Sequence, residues 1–205
     1  MRYLAAVLVL SSCMLHDPDP PPDHDKTPPT GDDPPSYPED PPPGGRRVFV
    51  TRGTYTGALS TVMGIADGLA AGDAICQQRA KAAGMTGTWV AWLSSSSKDA
   101  IDRITAQGPW RLVGGDTAFE NRAQLYGEPL VRLERDERGE LLSTAIDAMA
   151  WTGTRAGGGR HAYTCGDWTA SDGTGIYGHR AVTFDWTESY WTTCRNQLHL
   201  ICFEN

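Results

Sequence analysis

Three histidines in the globular part of the chain have the side chains best suited to acid–base or nucleophilic chemistry. Nucleophilic catalysis needs a Ser or Cys whose proton is taken by an imidazole that a carboxylate orients. The imidazoles are those of His161, His179 and His199. The sequence has no Gly-x-Ser-x-Gly elbow and no His-x-x-x-His pair of the kind that binds zinc. We therefore predict no catalytic residues, no metal site and no cofactor.

The positions of these histidines favour structural or binding roles. His199 alternates with Leu198 and Leu200, which indicates a structural or surface residue of a strand. His161 and His179 each stand beside an arginine in Gly-rich loops, and loops that approach one another would join them in a polar binding surface. Neither position predicts catalysis.

Two acidic residues offer an enzymatic alternative. Asp185 and Glu188 flank Trp186, and paired carboxylates of this type carry out glycoside hydrolysis. The glycine run at 157–159 lacks the lysine and helix start of a phosphate-binding loop. The acidic pair makes a hydrolase the third hypothesis for the function, after two hypotheses of binding without catalysis.

Aromatic residues between Cys165 and Cys194 are the main binding candidates. Aromatic rings together with arginine are enriched at the centres of protein interfaces. The candidate surface consists of Tyr177, Arg180, Trp186, Tyr190 and Trp191. The alternative is burial: Trp89, Trp92, Trp151 and Trp168 are expected in the core, and Trp186 or Trp191 would then join them.

The N-terminus has the features of a secretory signal. One arginine precedes a short apolar run, too short to span a bilayer as a mature helix, and Leu10-Ser11-Ser12-Cys13 follows it. Small residues before such a cysteine resemble the bacterial lipoprotein cleavage box, which predicts lipidation of Cys13 and an anchor in the membrane. Met14 in the next position favours the outer membrane of the cell envelope, with possible display at the surface. An ordinary signal peptide with an incidental cysteine is the alternative.

Composition separates a tether at 14–45 from a domain at 46–205. Twelve of the fourteen prolines fall between Pro18 and Pro43, and the tether has eight acidic residues against Lys26 alone. Such a segment buries little apolar area and is expected to be disordered. The tether has the same charge as the whole chain, -7, because Arg2 offsets the domain's sixteen basic and seventeen acidic residues. A near-neutral domain argues against a nucleic-acid partner.

Hydrophobic periodicity and turn residues predict an α+β domain with two helices packed on short strands. A helix with Leu69, Cys76 and Ala80 on one face ends at Gly84, and a buried strand follows at 89–93. Ser96 is expected to cap a short helix that ends at Ile104. Further strands are predicted at 46–52, 110–113, 130–134, 141–144, 148–151 and 198–203. The other predictions are a turn at 114–116, a short helix or loop at 120–126, a hairpin turn at 136–139 and a mobile loop at 157–159.

Five short segments resemble the endostatin domain, a member of the C-type-lectin-like superfamily, and a bacterial lipoprotein domain family of unknown function. They are CQQRA at 76–80, AWLSS at 91–95, AWTGT at 150–154, YTCGDWT at 163–169 and LICFEN at 200–205. Four cysteines alone permit three pairings. The resemblance implies two nested disulfides, Cys76 with Cys202 and Cys165 with Cys194. It also implies that partners bind the loop region between Cys165 and Cys194.

The ligand sites of these relatives are not matched. Calcium-dependent lectins use Glu-Pro-Asn with Trp-Asn-Asp, whereas this chain has Leu130 after Glu128-Pro129 and no Trp-Asn-Asp. Endostatin's zinc-binding histidines are replaced by arginine, valine and phenylalanine at 46–49, and the arginines at 132–138 alternate with acids instead of forming a heparin site. Bacterial proteins that resemble endostatin bind matrix proteins and complement regulators. The resemblance therefore implies a noncatalytic, adhesin-like domain that binds extracellular protein or polysaccharide, with a structural or glycan-associated envelope module as the alternative.

Overall fold

The computed structural model describes residues 45–143 and 148–205. The predicted signal peptide, the lipidated Cys13 and all but the last residue of the tether lie outside the described residues. No helix among the described residues is long and apolar enough to cross a membrane.

Eight strands form one mixed sheet in the described part of the chain. The strands are β1 (Arg46–Val50), β2 (Trp89–Ala91), β3 (Trp110–Leu112), β4 (Thr117–Phe119), β5 (Met149–Trp151), β6 (Thr174–His179), β7 (Tyr190–Thr193) and β8 (His199–Glu204). In the order β4-β3-β1-β8-β5-β6-β7, each strand is hydrogen-bonded to its neighbours, and β2 also pairs with β8. The predicted α+β class is confirmed, with few helices on a mixed sheet.

The last strand, β8, lies at the centre of the sheet. It pairs antiparallel with β1, where Phe49 is opposite Cys202, and its other edge pairs with β5 and then with β2. Leu200 and Cys202 belong to one buried cluster, whereas Ile201 and Phe203 belong to another. Because successive side chains of a strand point to opposite faces, β8 is covered by apolar residues on both sides. This burial explains its continuous apolar sequence.

Helices α1 (Leu59–Met63) and α2 (Gly68–Ala82) come before β2. Asp67 caps α2 by accepting a hydrogen bond from the Ala70 N–H at 2.8 Å, a contact of a kind that stabilises a helix by about 1 kcal/mol. The helix ends at Ala82, and Gly84 just beyond it has a φ of 77°. The predicted helix end at this glycine is confirmed. The separate helix α1 was not predicted.

Two disulfides join distant parts of the domain. Cys76 of α2 is bonded to Cys202 of β8, with a Cα–Cα distance of 5.5 Å. Cys165 is bonded to Cys194, with a Cα–Cα distance of 5.6 Å. These are the two nested pairs that the resemblance implied. The first attaches the longest helix to the central strand, and the second encloses β6 and β7 in one covalent loop.

The turn α4 (Cys165–Trp168) is left-handed. Its four residues have φ values of 51°, 57°, 54° and 66°, and only Gly166 among them lacks a side chain. Each L-residue with a side chain loses about 1–2 kcal/mol in this conformation, so tertiary contacts have to compensate. The buried Trp168 indole donates a hydrogen bond to the Ser94 carbonyl oxygen at 2.7 Å. Cys165 is held by its disulfide.

Several predicted elements differ from the structure. Helix α3 (Ala100–Arg103) is present, but Ser96 does not cap it; the Ser94 hydroxyl instead accepts the Ala100 N–H at 2.9 Å. The strand predicted at 89–93 ends at Ala91, although residues 92 and 93 are buried. Residues 122–126 form a 3-10 helix. The sequence did not predict β4, β6 or β7, which have little alternation between polar and apolar residues.

Two predicted loops have defined hydrogen bonds. The turn around residues 136–139 has an isolated bridge between Arg135 and Leu141, and among the described residues the strands predicted at 130–134 and 141–144 are not formed. The loop predicted to be mobile at 157–159 is a hydrogen-bonded turn, in which the Arg155 N–H donates to the Gly159 carbonyl at 2.7 Å. Gly158 also accepts from the Ile101 N–H at 3.2 Å. Mobility was predicted from these glycines. In the structure they provide the tight backbone turn that the contact with the Ile101 N–H needs.

Candidate functional site

Trp191 is the one tryptophan with an accessible ring. The other six of the seven are at most 1% exposed, whereas Trp191 is 48% exposed. Large aromatic rings contribute strongly to core packing, so an exposed tryptophan forgoes that contribution. The predicted core positions of Trp89, Trp92, Trp151 and Trp168 are thus confirmed, and Trp191 is the clear exception.

Tyr190 lies beside Trp191 on β7, the strand at one end of the sheet. Tyr190 is 60% exposed. The two ring centroids are 5.5 Å apart and the ring planes are only 21° from parallel. β7 pairs with β6 alone among the described strands. The rings therefore form one aromatic pair at an open edge of the sheet.

Tyr177 lies next to Tyr190 in the sheet. It is directly opposite Tyr190 in the β6–β7 register and opposite Trp151 in the β5–β6 register. Its side chain is partly buried against the cluster that contains both disulfides. Directly paired residues share a face, so Tyr177 supports Tyr190 from the core side.

Trp186 and Arg180 are not on the surface where the sequence analysis placed them. Both are only 1% exposed. The Trp186 indole donates a hydrogen bond to the Gly127 carbonyl at 2.8 Å, and its ring lies 4.9 Å from that of Trp92. A guanidinium N–H of Arg180 donates to the Ser143 carbonyl. Sequence proximity to exposed rings did not reveal that the chain turns back into the core after β6.

The backbone at Gly178 explains this burial. A Cβ atom at residue 178 would collide with the Trp186 carbonyl oxygen. The turn after β6 closes with a hydrogen bond from the His179 N–H to the Asp185 carbonyl at 2.8 Å. Trp186 can therefore lie over the sheet only because Gly178 has no side chain. The candidate surface is reduced to Tyr177, Tyr190 and Trp191.

Tyr163 was missed by the sequence analysis and extends this surface. Its carbonyl accepts the Ile176 N–H at 3.0 Å, and the next residue, Thr164, forms a bridge with Gly175. Trp191 is opposite Ile176 on the other side of β6. Tyr163 is 45% exposed. We refer to Tyr163, Tyr190 and Trp191 as the aromatic surface.

His161 lies at the margin of the aromatic surface. Its ring centroid is 5.0 Å from that of Tyr163, and its Nδ1 atom accepts the Tyr163 N–H at 3.1 Å. Burial lowers the pKa of His161, and the nearby Arg155 lowers it further, although Glu188 acts in the opposite direction. His161 is therefore mostly neutral near pH 7, with Nδ1 serving as an acceptor.

Glu188 completes this margin. One of its carboxylate oxygens accepts the Ala156 N–H at 2.7 Å. This contact holds the turn around residues 155–158 against the segment that leads into β7. His161 contacts Tyr163, and the charges of Arg155 and Glu188 act on His161, so a cation, a neutral ring and an anion lie at the Tyr163 end of the exposed rings. We refer to these three residues as the polar margin.

The other histidines lie apart from this site. His179 is opposite Met149 in β6, three residues and roughly 10 Å along the strand from Ile176. The structure therefore does not bring His161 and His179 together. His199 is buried, and its Nδ1 atom lies 2.6 Å from the Thr51 carbonyl oxygen, so of the structural and surface positions predicted for it the structural one is found.

Metal-binding groups and known relatives give no further guide to function. Among the described residues, no group of three or more His, Cys, Asp or Glu side chains is placed to hold a metal ion. No protein-family model and no curated protein matches this chain, so its function is inferred from the aromatic surface and its polar margin.

Proposed function

We propose that this chain is an exported lipoprotein whose folded domain is a noncatalytic binding module. Lipidated Cys13 anchors it to the outer membrane, the acidic proline-rich segment extends from the anchor, and the domain binds an extracellular protein or polysaccharide. The aromatic surface makes the contact. Exposure of Trp191 beside Tyr190 is the observation that carries the proposal, because all six other tryptophans are buried.

Energetics support a binding role for these rings. Interface centres are enriched in Trp and Tyr, whose large and rigid rings lose little conformational entropy on binding. Trp191 and Tyr190 stack on each other and add little to the core. Because these two large rings are exposed to water at an open sheet edge, covering them with a ligand buries much apolar surface and favours binding.

Export is supported by the cysteines. The four domain cysteines form two disulfides, and such bonds persist in oxidising compartments outside the cytosol. Cys13 is the fifth cysteine of the sequence, and it lies in the segment that resembles a lipoprotein cleavage box. An even set in the domain and one cysteine at the signal sequence is the arrangement that a lipoprotein requires.

We also propose that the domain is of the C-type-lectin-like, endostatin-like type. Two features support this assignment. The nested disulfides have the pairing that the resemblance implies, and the first and last strands, β1 and β8, are neighbours in the sheet. An adhesin-like function follows from this relationship together with the exposed rings. A structural or glycan-associated envelope module is the second hypothesis, which the polar margin around Tyr163 favours.

Binding by the full-length protein and its variants tests the proposal. The wild-type chain, W191A and Y190A are applied to immobilised matrix proteins and to polysaccharide arrays. We expect at least one class of ligand to bind the wild type, and each variant to lose most of that binding. F184A is the matched control, because Phe184 is an aromatic residue with 66% exposure outside the aromatic surface. Equal binding by W191A and the wild type would refute the role of this surface.

A further inference from the structure

The aromatic surface is a row across three neighbouring segments of the sheet. Tyr163 lies on one side of Ile176 and Trp191 on the other, so their backbones are two strand spacings apart, roughly 10 Å. Tyr190 precedes Trp191 on β7, and its ring stacks on that of Trp191. The row runs from Tyr163 across β6 to β7, and it is open at the edge strand.

The residue in the middle of the row is buried. Ile176 is 4% exposed although it belongs to neither core cluster. In register it is flanked by Tyr163 and Trp191, and its own aliphatic surface is closed to solvent. A ligand on this surface therefore meets ring faces rather than the mixture of aliphatic and aromatic groups found at the centre of most protein interfaces.

The polar margin supplies hydrogen bonds beside these rings. Glu188 uses one carboxylate oxygen for the Ala156 N–H, and within residues 45–143 and 148–205 the other oxygen has no hydrogen bond. The exposed Arg155 guanidinium has neither an ion pair nor a hydrogen bond to a described residue. His161 holds its place through the Tyr163 N–H. Donors and acceptors therefore lie next to apolar rings.

A sugar chain has chemical groups that are complementary to the aromatic surface and to the polar margin. Each pyranose ring exposes C–H groups on its faces and hydroxyl groups around its rim. The electron-rich face of an aromatic ring attracts the positive edges of C–H bonds, while hydroxyl groups need both donors and acceptors. A linear chain of sugars also has the narrow, extended shape that a row across three strands can follow.

The net charge of the polar margin favours neutral over acidic sugars as ligands. The polar margin contains one cation, Arg155, and one anion, Glu188, and these charges offset each other. A polyanion is held by clustered cations, so this margin offers it no net attraction. The charge balance is complementary to an uncharged ligand.

We propose that the aromatic surface binds a neutral, linear polysaccharide, whose sugar rings stack on Tyr163, Trp191 and Tyr190 while Arg155 and Glu188 bond its hydroxyl groups. The proposal rests on the binding function proposed above and narrows the ligand to one class. Recognition needs no calcium, because every contact is made by a ring or a hydrogen-bonding side chain.

Titration of the full-length protein with defined hexasaccharides tests this inference. Cellohexaose, laminarihexaose and chitohexaose serve as neutral probes and a heparin hexasaccharide as the acidic one, all in excess EDTA. Binding is followed by calorimetry and by the change in total tryptophan fluorescence. We expect a neutral probe to bind, with affinity reduced about tenfold or more in W191A and Y163A, since losing one stacked ring costs about that factor. E188Q is expected to weaken binding less, and F184A not at all.

The outcomes separate this inference from the broader one. Binding of a neutral probe that both W191A and Y163A weaken about tenfold or more supports the polysaccharide assignment. Binding of heparin alone, lost on raising the salt concentration, would overturn it, because the ligand would then be a polyanion. If no sugar binds but a matrix protein does, and W191A abolishes that contact, the polysaccharide assignment fails while the binding function stands. If wild type and W191A behave alike towards every ligand, both fail.

Discussion

The carboxylate of Asp167 accepts two hydrogen bonds from Ser96, one from the backbone N–H at 2.7 Å and one from the hydroxyl at 2.6 Å. The Thr164 hydroxyl donates a third at 3.0 Å. These contacts attach the left-handed turn α4 to the segment that follows β2. They link two parts of the chain that are 71 residues apart and help to offset the backbone strain at α4.

These hydrogen bonds predict a pH dependence of stability. Partial burial alone would raise the pKa of Asp167, but the bonds from Ser96 and Thr164 outweigh it and lower the pKa. The ionised carboxylate therefore adds stability above the unfolded-state pKa of about 4, and this is lost as the pH falls through the lower folded-state pKa. We expect D167N to lower the free energy of unfolding by about 1 kcal/mol at pH 7.

Urea denaturation of wild type and D167N between pH 7 and pH 2 measures this effect. The difference between the two proteins should shrink as the pH falls below about 4. D172N is the control, because Asp172 is an exposed acidic residue nearby. A difference between D167N and wild type that stays constant over the whole range would contradict the assignment to the ionised carboxylate.

Gly68 is the subject of a second prediction. Replacing a glycine inside a helix by alanine normally stabilises the helix by about 1 kcal/mol. Here a Cβ atom at Gly68 would collide with the carbonyl oxygen of Asp167 and with the Trp168 side chain. We expect G68A to destabilise the protein by about 1–3 kcal/mol, as over-packing does. The midpoint of chemical denaturation gives the sign.

A glycine in open space provides the comparison for G68A. Gly84 has a positive φ of 77°, and nothing lies within 4 Å of a Cβ atom placed there. G84A is therefore expected to cost about 1 kcal/mol through backbone strain alone. A stabilising effect of G68A would show that α2 moves away from α4 at little cost.

The two disulfides should differ in their contributions to stability. The Cys76–Cys202 bond spans 126 residues and the Cys165–Cys194 bond 29. In the chain-entropy model, closing the longer loop stabilises by about 5 kcal/mol and the shorter one by about 3.5 kcal/mol. We expect C76A/C202A to unfold at a lower denaturant concentration than C165A/C194A. The reverse order would mean that strain in the folded state outweighs loop entropy.

Trp186 and Trp191 should respond differently to truncation. W186A removes a buried ring packed against Trp92 and Phe119, and we expect it to lower the free energy of unfolding by about 3–5 kcal/mol. W191A removes an exposed ring and should change this quantity by less than about 0.5 kcal/mol. Thermal or urea denaturation distinguishes the two. Comparable losses in both variants would show that Trp191 contributes to the core.

Much of the fold could be predicted from the sequence. The apolar run at 198–203 and the helix ending at Gly84 have strong local patterns, and both elements are present as β8 and α2. The α+β class follows from such patterns. The lipoprotein signal and the tether remain predictions from sequence. Both were predicted from the composition of these residues and from their order along the chain.

The candidate site depended on tertiary structure. Trp186 and Trp191 are five residues apart in similar polar surroundings, yet one is buried and the other is exposed. The difference comes from the missing side chain at Gly178, which lets the backbone of Trp186 pass over β6. Composition alone does not distinguish the buried tryptophan from the exposed one, because burial depends on where the chain turns.

The sequence by itself predicted an export signal and a tether, and it determined the two strongest elements of the fold. Tertiary structure alone decided which rings are accessible, and it joined Tyr163 to Trp191 across β6, 28 residues later in the chain. Local patterns record the preferences of neighbouring residues. A surface built from three segments depends on strand register, which is set by hydrogen bonds and packing between distant residues.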